Sequence, residues 1–475
     1  MADPFVIVGG DAAGLSAASK FKREAPDREV VVLERGRWVS YAHCGMPYYV
    51  KGEVESLSDL LSLSPAEIVE RGIDLRRGHE VTGVDPDAKT VRVRTDSERY
   101  DQAYGDLLVA TGARAVDGPI DGADLEGAFT MHDMDAAAAV RAFLTPPAEI
   151  DPDAVDGEYV DRDRVETYAT REPPEAVAVV GGGYVGVEMV EAFEAYDLDV
   201  HLLQRPDRLL PPFGETASER VIETLRERGV RVRLGTAVDE IVGDGRAEAV
   251  VAGDERIPVD LALIGIGIRP NTGPIEDAGV ELGDSGAIAV DDYGRTNREH
   301  VYAAGDCAEM CHAVTGEPEW VPLGLTANRA GRAIGATVAG DPTPVGEIAG
   351  TAAVKAFETE CARTGIVDRD RAREAGFDPV SETITASSRS GYYPGAAETA
   401  VTLVADRETE RLLGGAIVGT DRAAIRIDTI ATALEAGMTV ADVERLDLAY
   451  APPFSPVWDP VLVAAKVLNG SLDAP

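Results

Sequence analysis

Lysine is scarce in this chain. Of 45 basic residues in 475, only Lys20, Lys22, Lys51, Lys89, Lys355 and Lys466 are lysine; the others are arginine. Basic charge as a whole is short, because 84 acidic residues leave a formal net charge of −39. A nucleic-acid backbone is neutralised by a basic footprint, and none is visible, so bulk nucleic-acid binding is excluded. An anionic membrane surface would repel the chain for the same reason. No run of 18 apolar residues occurs, so there is no candidate for a membrane-spanning helix. The apolar run at residues 5–10 is short and lies between Asp3 and Asp11, unlike a secretory signal. Cysteine stands at four positions only, Cys44, Cys307, Cys311 and Cys361, too few for a disulfide framework at this length. The expectation is a cytoplasmic protein from a reducing compartment.

What is present is ample for folding. Hydrophobic residues make up 45% of the chain, so its acidity is not that of a disordered tail. The length suits roughly two to four domains. The acids are spread along the whole sequence. Scattered carboxylates with little lysine suit a surface bathed in concentrated salt, which screens the repulsion among them. The composition therefore predicts a protein of a salt-adapted cell, destabilised at low salt. One stretch is denser: residues 146–174 contain Glu149, Asp151, Asp153, Asp156, Glu158, Asp161, Asp163 and Glu166. This insert is expected to be a solvated loop or a broken helix, and it has no calcium-loop spacing.

The chain opens on a β-run at residues 5–8, followed by Gly9, Gly10, Asp11, Ala12, Ala13 and Gly14. A helical pattern over 15–24 and a second β-run over 30–33 follow, the latter ending at Glu34. This is a strand–turn–helix–strand unit of the dinucleotide-binding kind, with Asp11 at the middle glycine position. The unit recurs. A β-run at 176–180 leads into Gly181, Gly182, Gly183, Tyr184, Val185 and Gly186, then a helix, then a strand over 199–203 ending at Gln204 and Arg205. Two copies, each between a β-run and a helix, predict two dinucleotide-binding domains. One would hold a resident dinucleotide and the other a diffusing one, which makes an electron relay. The helix N-terminus and its amides accept the pyrophosphate. Glu34 would bond an adenosine ribose with two free hydroxyls, as in FAD, with Arg35 and Ser40 nearby. At the matching place Gln204 removes repulsion toward a 2′-phosphate and Arg205 could bind it, so NADPH is favoured over NADH. Gly267 is assigned to the same nucleotide cleft.

Two further landmarks have the same style. Thr111, Gly112 and Ala113 follow a β-run, and Ala304, Gly305 and Asp306 follow another. In each the glycine admits a close ligand, and Asp306 is placed to bond hydroxyls. From about residue 346 the chain changes character, with strand-like runs at 401–405 and 412–418, a helical run at 429–436 and an aromatic, Pro-rich end.

In its full order this chain resembles the pyridine nucleotide–disulfide oxidoreductases over essentially its whole length. The stretch Ser40-Tyr41-Ala42-His43-Cys44-Gly45-Met46-Pro47-Tyr48-Tyr49 is similar to the single-cysteine branch, which includes coenzyme A-disulfide reductase, NADH oxidase and NADH peroxidase. Gly391-Tyr392-Tyr393-Pro394-Gly395 and the segment from Leu448 to Pro460 support that. The resemblance implies an α/β fold with two Rossmann-like domains and a C-terminal α/β dimerisation domain, as in glutathione reductase. The expected divisions are 1–145 and 286–345 for the FAD domain, 146–285 for the NAD(P) domain, and 346–475 for the dimer domain. It implies FAD as cofactor, NADPH or NADH as donor, a homodimer, and Asp306 on the ribityl chain. It places Lys20 and Arg23, with Lys22 beside them, near the basic contacts for CoA phosphates.

Two-cysteine relatives space their redox pair by four residues, and here position 49 is Tyr49. Cys44 must then cycle with an external sulfur or as a sulfenate. Cys307 is expected to pack near the flavin, Cys361 in a core, and Cys307, Cys311 and His312 form no convincing metal set. Peroxidase and oxidase members carry a histidine in the first glycine turn; this chain has Asp11 there and no histidine before His43. The resemblance therefore points to an NAD(P)H-dependent reductase of CoA disulfide. Tyr450, then Tyr392 or Tyr393, would assist the leaving thiolate from the partner subunit, and His43 could lower the Cys44 pKa. The alternatives are an NAD(P)H oxidase, a persulfide or polysulfide reductase, and a flavin electron-transfer protein with a protein partner.

Overall fold

The computed structural model describes residues 3–150 and 159–472. The first glycine turn sits on a five-stranded parallel sheet. Its order is Val301–Ala303, Asp106–Val109, Phe5–Val8, Val30–Glu34, Asp74–Arg77. Phe5–Val8 is fully buried, which is why it reads as an unbroken apolar run with no alternation. The helix Ala12–Glu24 lies against the helix Gly324–Ala339. A Cβ added at Gly331 would stand 2.0 Å from the Ala13 carbonyl oxygen, so small residues set this close crossing. A three-stranded antiparallel meander, Glu80–Asp85, Thr90–Arg94 and Arg99–Ala103, completes the domain.

The second parallel sheet runs Arg231–Arg233, Asp199–Leu203, Ala176–Val180, Leu261–Ile264, Ala128–Thr130. Its last strand corrects the division at 145. Ala128–Thr130 pairs with Leu261–Ile264, so the second domain begins well before residue 146. The crossing between the domains is the antiparallel pair Ala113–Ala115 and Ile268–Pro270. The return division at 286 moves as well, because Ile275, Ala278 and Ile288 share one core with Val6, Val8 and Leu107. Gly112 and Gly267 stand just before the two crossing strands, but only strand pairing reveals that those strands join the domains.

Part of the acidic insert is a packed helix, Arg162–Ala169. Asp161 caps it by accepting from the Arg164 amide, and Val165 and Tyr168 are buried. Asp151, Asp153, Asp156 and Glu158 lie outside the described residues.

The C-terminal domain is a five-stranded antiparallel sheet in the order Ala352–Ala356, Thr359–Gly365, Leu412–Gly419, Glu398–Asp406, Pro379–Ser387. Helices Ile427–Glu435 and Pro460–Leu472 bury their apolar faces on it. Arg422 and Arg426 donate to the carbonyls of Pro453 and Phe454 and hold the segment that presents Tyr450, Phe454, Val457 and Trp458 to the exterior. Among the described residues no helix is long and apolar enough to cross a membrane.

Candidate active site

Both glycine turns are built alike. Gly9 has φ 113°, and a Cβ there would meet the Ala110 carbonyl oxygen at 2.1 Å. A Cβ at Gly14 would stand 2.0 Å from the Gly9 oxygen, so helix and turn touch only because both are glycine. In the second turn, a Cβ at Gly186 would stand 1.9 Å from the Gly181 oxygen. Beside Gly112 and Gly183 there is open space instead. Amides at a helix N-terminus next to open space are what a pyrophosphate needs, so these residues fit a dinucleotide in each domain.

The acceptor at the end of each second strand serves the turn itself. Glu34 accepts from Gly10 N at 2.8 Å and Gly36 N at 2.6 Å. Gln204 accepts from Gly182 N at 2.9 Å and donates to the Arg208 carbonyl at 3.1 Å. Burial pushes the Glu34 carboxyl up, and the Gly10 and Gly36 amides oppose that only in part. Each Glu34 oxygen keeps a lone pair for a ribose hydroxyl. Gln204 has less to spare, and Arg205 beside it is exposed.

Cys44 is exposed, in the short 3₁₀ turn His43–Gly45 that leads into the helix Met46–Lys51. No second cysteine serves it. Cys307 is buried with its Sγ donating at 3.4 Å to the carbonyls of Val109 and Ala304, Cys361 is buried, and Cys311 is in a hairpin strand. Tyr49, where a partner cysteine would stand, packs under the Arg141 guanidinium at 4.4 Å. Among the described residues no group of three or more His, Cys, Asp or Glu is placed to hold a metal.

The surroundings of Cys44 are acidic. Burial, then Glu188, then Asp306 push its thiol pKa up. Burial pushes the Glu188 carboxyl up to about 7, against a 3.3 Å hydrogen bond from the Tyr48 hydroxyl. The fold thus favours protonated Glu188. Its stabilising contribution is full below the ordinary carboxyl range and is lost as pH rises to about 7. Replacing Glu188 by Gln is expected to speed alkylation of Cys44 about threefold at pH 8, the size of a partly screened like-charge contact. Below about pH 6 Glu188 is mostly neutral and the two proteins should react alike. Iodoacetamide rates across pH check this; equal rates at every pH would remove Glu188 from the site.

The histidine missing from the first turn arrives from elsewhere. His43 Nε2 pairs with Asp11 Oδ2 at 2.6 Å, and the Tyr41 amide donates to the other oxygen at 3.1 Å. The imidazole stacks on Tyr41 and stands 5.7 Å from the His132 ring. Burial pulls the His43 pKa down, but the bond and charge of Asp11 outweigh it and leave it raised. His43 therefore faces Asp11 and Asp306. Its charge opposes the rise that burial imposes on the Asp306 carboxyl. The expectation is a lowered Cys44 pKa, whereas burial and the nearby carboxylates leave it raised.

The basic trio on the first helix is also corrected. Lys22 donates to the carbonyls of Pro26 at 2.7 Å and Arg28 at 3.0 Å, where it closes the helix C-terminus. Lys20 is paired with Glu24 at 2.5 Å. Residues 20 and 22 lie on different sides of a 3.6-residue helix, so they cannot serve one anion together. Arg23 remains exposed. Tyr392 and Tyr450 are 77% and 50% exposed on the face of the C-terminal domain, with Tyr393 beside them.

Two nucleotide turns, one unpartnered cysteine between them and an antiparallel C-terminal sheet form a recognisable set. Residues 3–331 match the pyridine nucleotide-disulphide oxidoreductase family, and residues 351–460 match its dimerisation domain. The chain belongs to the pyridine nucleotide-disulphide oxidoreductases. It is accordingly an FAD-dependent oxidoreductase that uses NAD(P)H. The chain is 38% identical over 466 residues to the NAD(P)H coenzyme A polysulfide/persulfide reductase of Pyrococcus horikoshii, covering 98% of each protein. It is 28% identical to the coenzyme A disulfide reductase of Staphylococcus haemolyticus, over 95% of this chain and 96% of that one. The structure of a NAD-dependent persulfide reductase from A. fulgidus superposes with a TM-score of 0.90 at 34% identity, over 99% of this chain and 83% of that one.

Proposed function

We propose that this flavoprotein reduces the sulfur–sulfur bond of a CoA-borne substrate through Cys44, with CoA disulfide as the first candidate. The observation that carries this is the lone exposed Cys44 between the two turns, with tyrosine in place of a second cysteine. The first turn, Glu34, the Thr111–Ala113 bend and Asp306 would hold FAD, which when bound would supply two-electron transfer from NAD(P)H.

The Cys44 thiolate attacks one sulfur of the disulfide, that S–S bond breaks, and one CoA thiolate leaves. A mixed disulfide between Cys44 and the second CoA remains. Two electrons restore the Cys44 thiolate and release the second CoA as thiolate. Two protons complete the thiols. Tyr450 of the partner subunit is the proposed donor to a leaving thiolate, with Tyr392 and Tyr393 next. A second copy would cover the exposed Tyr450, Phe454, Val457 and Trp458, which supports a homodimer. Arg23, with Lys20 if it leaves Glu24, is the proposed contact for CoA phosphate.

CoA persulfide is the second candidate, favoured by what the Pyrococcus and A. fulgidus proteins are named for. Attack on its outer sulfur leaves Cys44 as a persulfide, and two electrons release sulfide. Steady-state turnover in concentrated KCl with CoA disulfide, CoA persulfide, polysulfide, hydrogen peroxide and O2 separates these readings. Turnover of peroxide or O2 far above both CoA substrates would overturn the proposal. Mass spectrometry of untreated protein adds a second check, a CoA adduct on Cys44 being expected rather than one added oxygen.

Arg205 is the proposed contact for a 2′-phosphate. Arg205→Ala is expected to raise KM for NADPH about tenfold, as for loss of one charge-assisted contact, and to leave KM for NADH nearly unchanged. Equal changes for both nucleotides would show that Arg205 does not discriminate.

A further inference from the structure

Two of the six lysines converge on one carboxylate. Lys51 Nζ and Lys355 Nζ lie 2.7 and 2.5 Å from Glu191 Oε1, and Phe357 N donates to Oε2 at 2.7 Å. The Glu191 side chain is only 6% exposed. Glu191 and its three partners come from three domains. Lys51 ends the helix that follows Cys44, Glu191 lies on the helix that starts at the second glycine turn, and Lys355 and Phe357 belong to the first hairpin of the C-terminal domain. Phe357 takes φ 53°, a left-handed conformation that a bulky residue keeps only where its surroundings dictate it.

The contact is a repeated one. Tyr48 and Lys51 are three residues apart on one helix, and Glu188 and Glu191 three apart on the other, so both pairs face across one seam. Tyr196 just beyond the second helix adds a hydroxyl bond of 2.8 Å to the Val50 carbonyl. The charges balance locally, because Glu53 takes the outer side of Lys51 at 2.6 Å. Burial pushes the Glu191 carboxyl up, and the bonds from Lys355, Lys51 and Phe357 reverse this and leave it lowered, so it is an anion. A buried pair is screened far less by salt than a surface one.

We propose that Glu191 is a positioning residue: clamped by Lys51 and Lys355, it fixes the Cys44 helix against the nucleotide-domain helix so that NAD(P)H and the cysteine are held in one register. It touches neither reactant and acts through the two helices. The inference needs the family's NAD(P)H-driven activity and not the identity of the sulfur substrate.

The test uses FAD-loaded full-length enzyme in concentrated KCl, wild type against Glu191→Gln and Lys355→Met, with Lys355→Arg as the conservative variant. Reduction of the bound flavin by NAD(P)H is followed by anaerobic stopped flow. In parallel, pre-reduced enzyme is mixed with a chromogenic aromatic disulfide to read Cys44 exchange alone. Expected is a fall of tenfold or more in flavin reduction for Glu191→Gln and Lys355→Met, with exchange within twofold of wild type and Lys355→Arg largely restored. A lower melting temperature with both rates unchanged would reduce the junction to a stabilising contact and overturn the proposal. Equal loss of both rates would also overturn it. Should Glu191→Gln not fold, Lys51→Met, which removes the other lysine of the clamp, carries the same two outcomes.

Discussion

Cys44→Ser is expected to lower turnover of every sulfur acceptor by about 10³ or more, the usual consequence of removing a nucleophile. A serine hydroxyl cannot hold a mixed disulfide, and none of the other three cysteines is placed to replace it. Cys307 and Cys361 are buried, and burial pushes both thiols up, Cys361 to about 12. The flavin should still load, because the glycine turns, Glu34 and Asp306 are untouched. Reduction of that flavin by NAD(P)H should persist, as should transfer to an artificial one-electron acceptor. The measurement is kcat for CoA disulfide and for the artificial acceptor in the same preparation. Full turnover of CoA disulfide by Cys44→Ser would refute the sulfur-relay proposal and favour an electron-transfer protein.

The second large effect is of salt. Between about 3 M and about 0.1 M KCl the melting temperature is expected to fall by more than about 10 °C, with loss of the fold at the low end. The charge of −39 repels itself over roughly 10 Å at 0.1 M salt but over only about 3 Å at 1 M. Ion pairs do little to offset this, because many are open to solvent. In Arg220–Glu398 and Arg228–Glu358 each side chain is 45% exposed or more, and such pairs are worth about 0–1 kcal/mol. Thermal unfolding followed by circular dichroism over a KCl series checks this. A melting temperature that does not move with salt would show that the acidity is not an adaptation to it.

Much of the site was legible in the residues because its parts are local. A glycine turn is encoded by the left-handed φ of Gly9 and Gly181 and by the close approach of Gly14 to Gly9 and of Gly186 to Gly181, which only a missing Cβ allows. Those contacts span a few residues, so spacing alone reveals them. The same holds for Tyr49 in place of a second cysteine, and for Asp306 after its buried strand. Glu188 and Glu191 had a signal too, a spacing of three that Glu194 continues along an otherwise apolar helix, but nothing local says what they face.

The sequence by itself determined two nucleotide turns, one cysteine with no second cysteine near it along the chain, and an acidic composition, because each is a short-range pattern or a sum over composition. Tertiary structure alone decided the rest. It joined Ala128–Thr130 to the second sheet, brought His43 to Asp11 across 32 residues, and gathered Lys51 and Lys355 onto Glu191 across 140 and 164. Those outcomes depend on how separately folded pieces dock. Their partners lie too far apart along the chain for local spacing to encode.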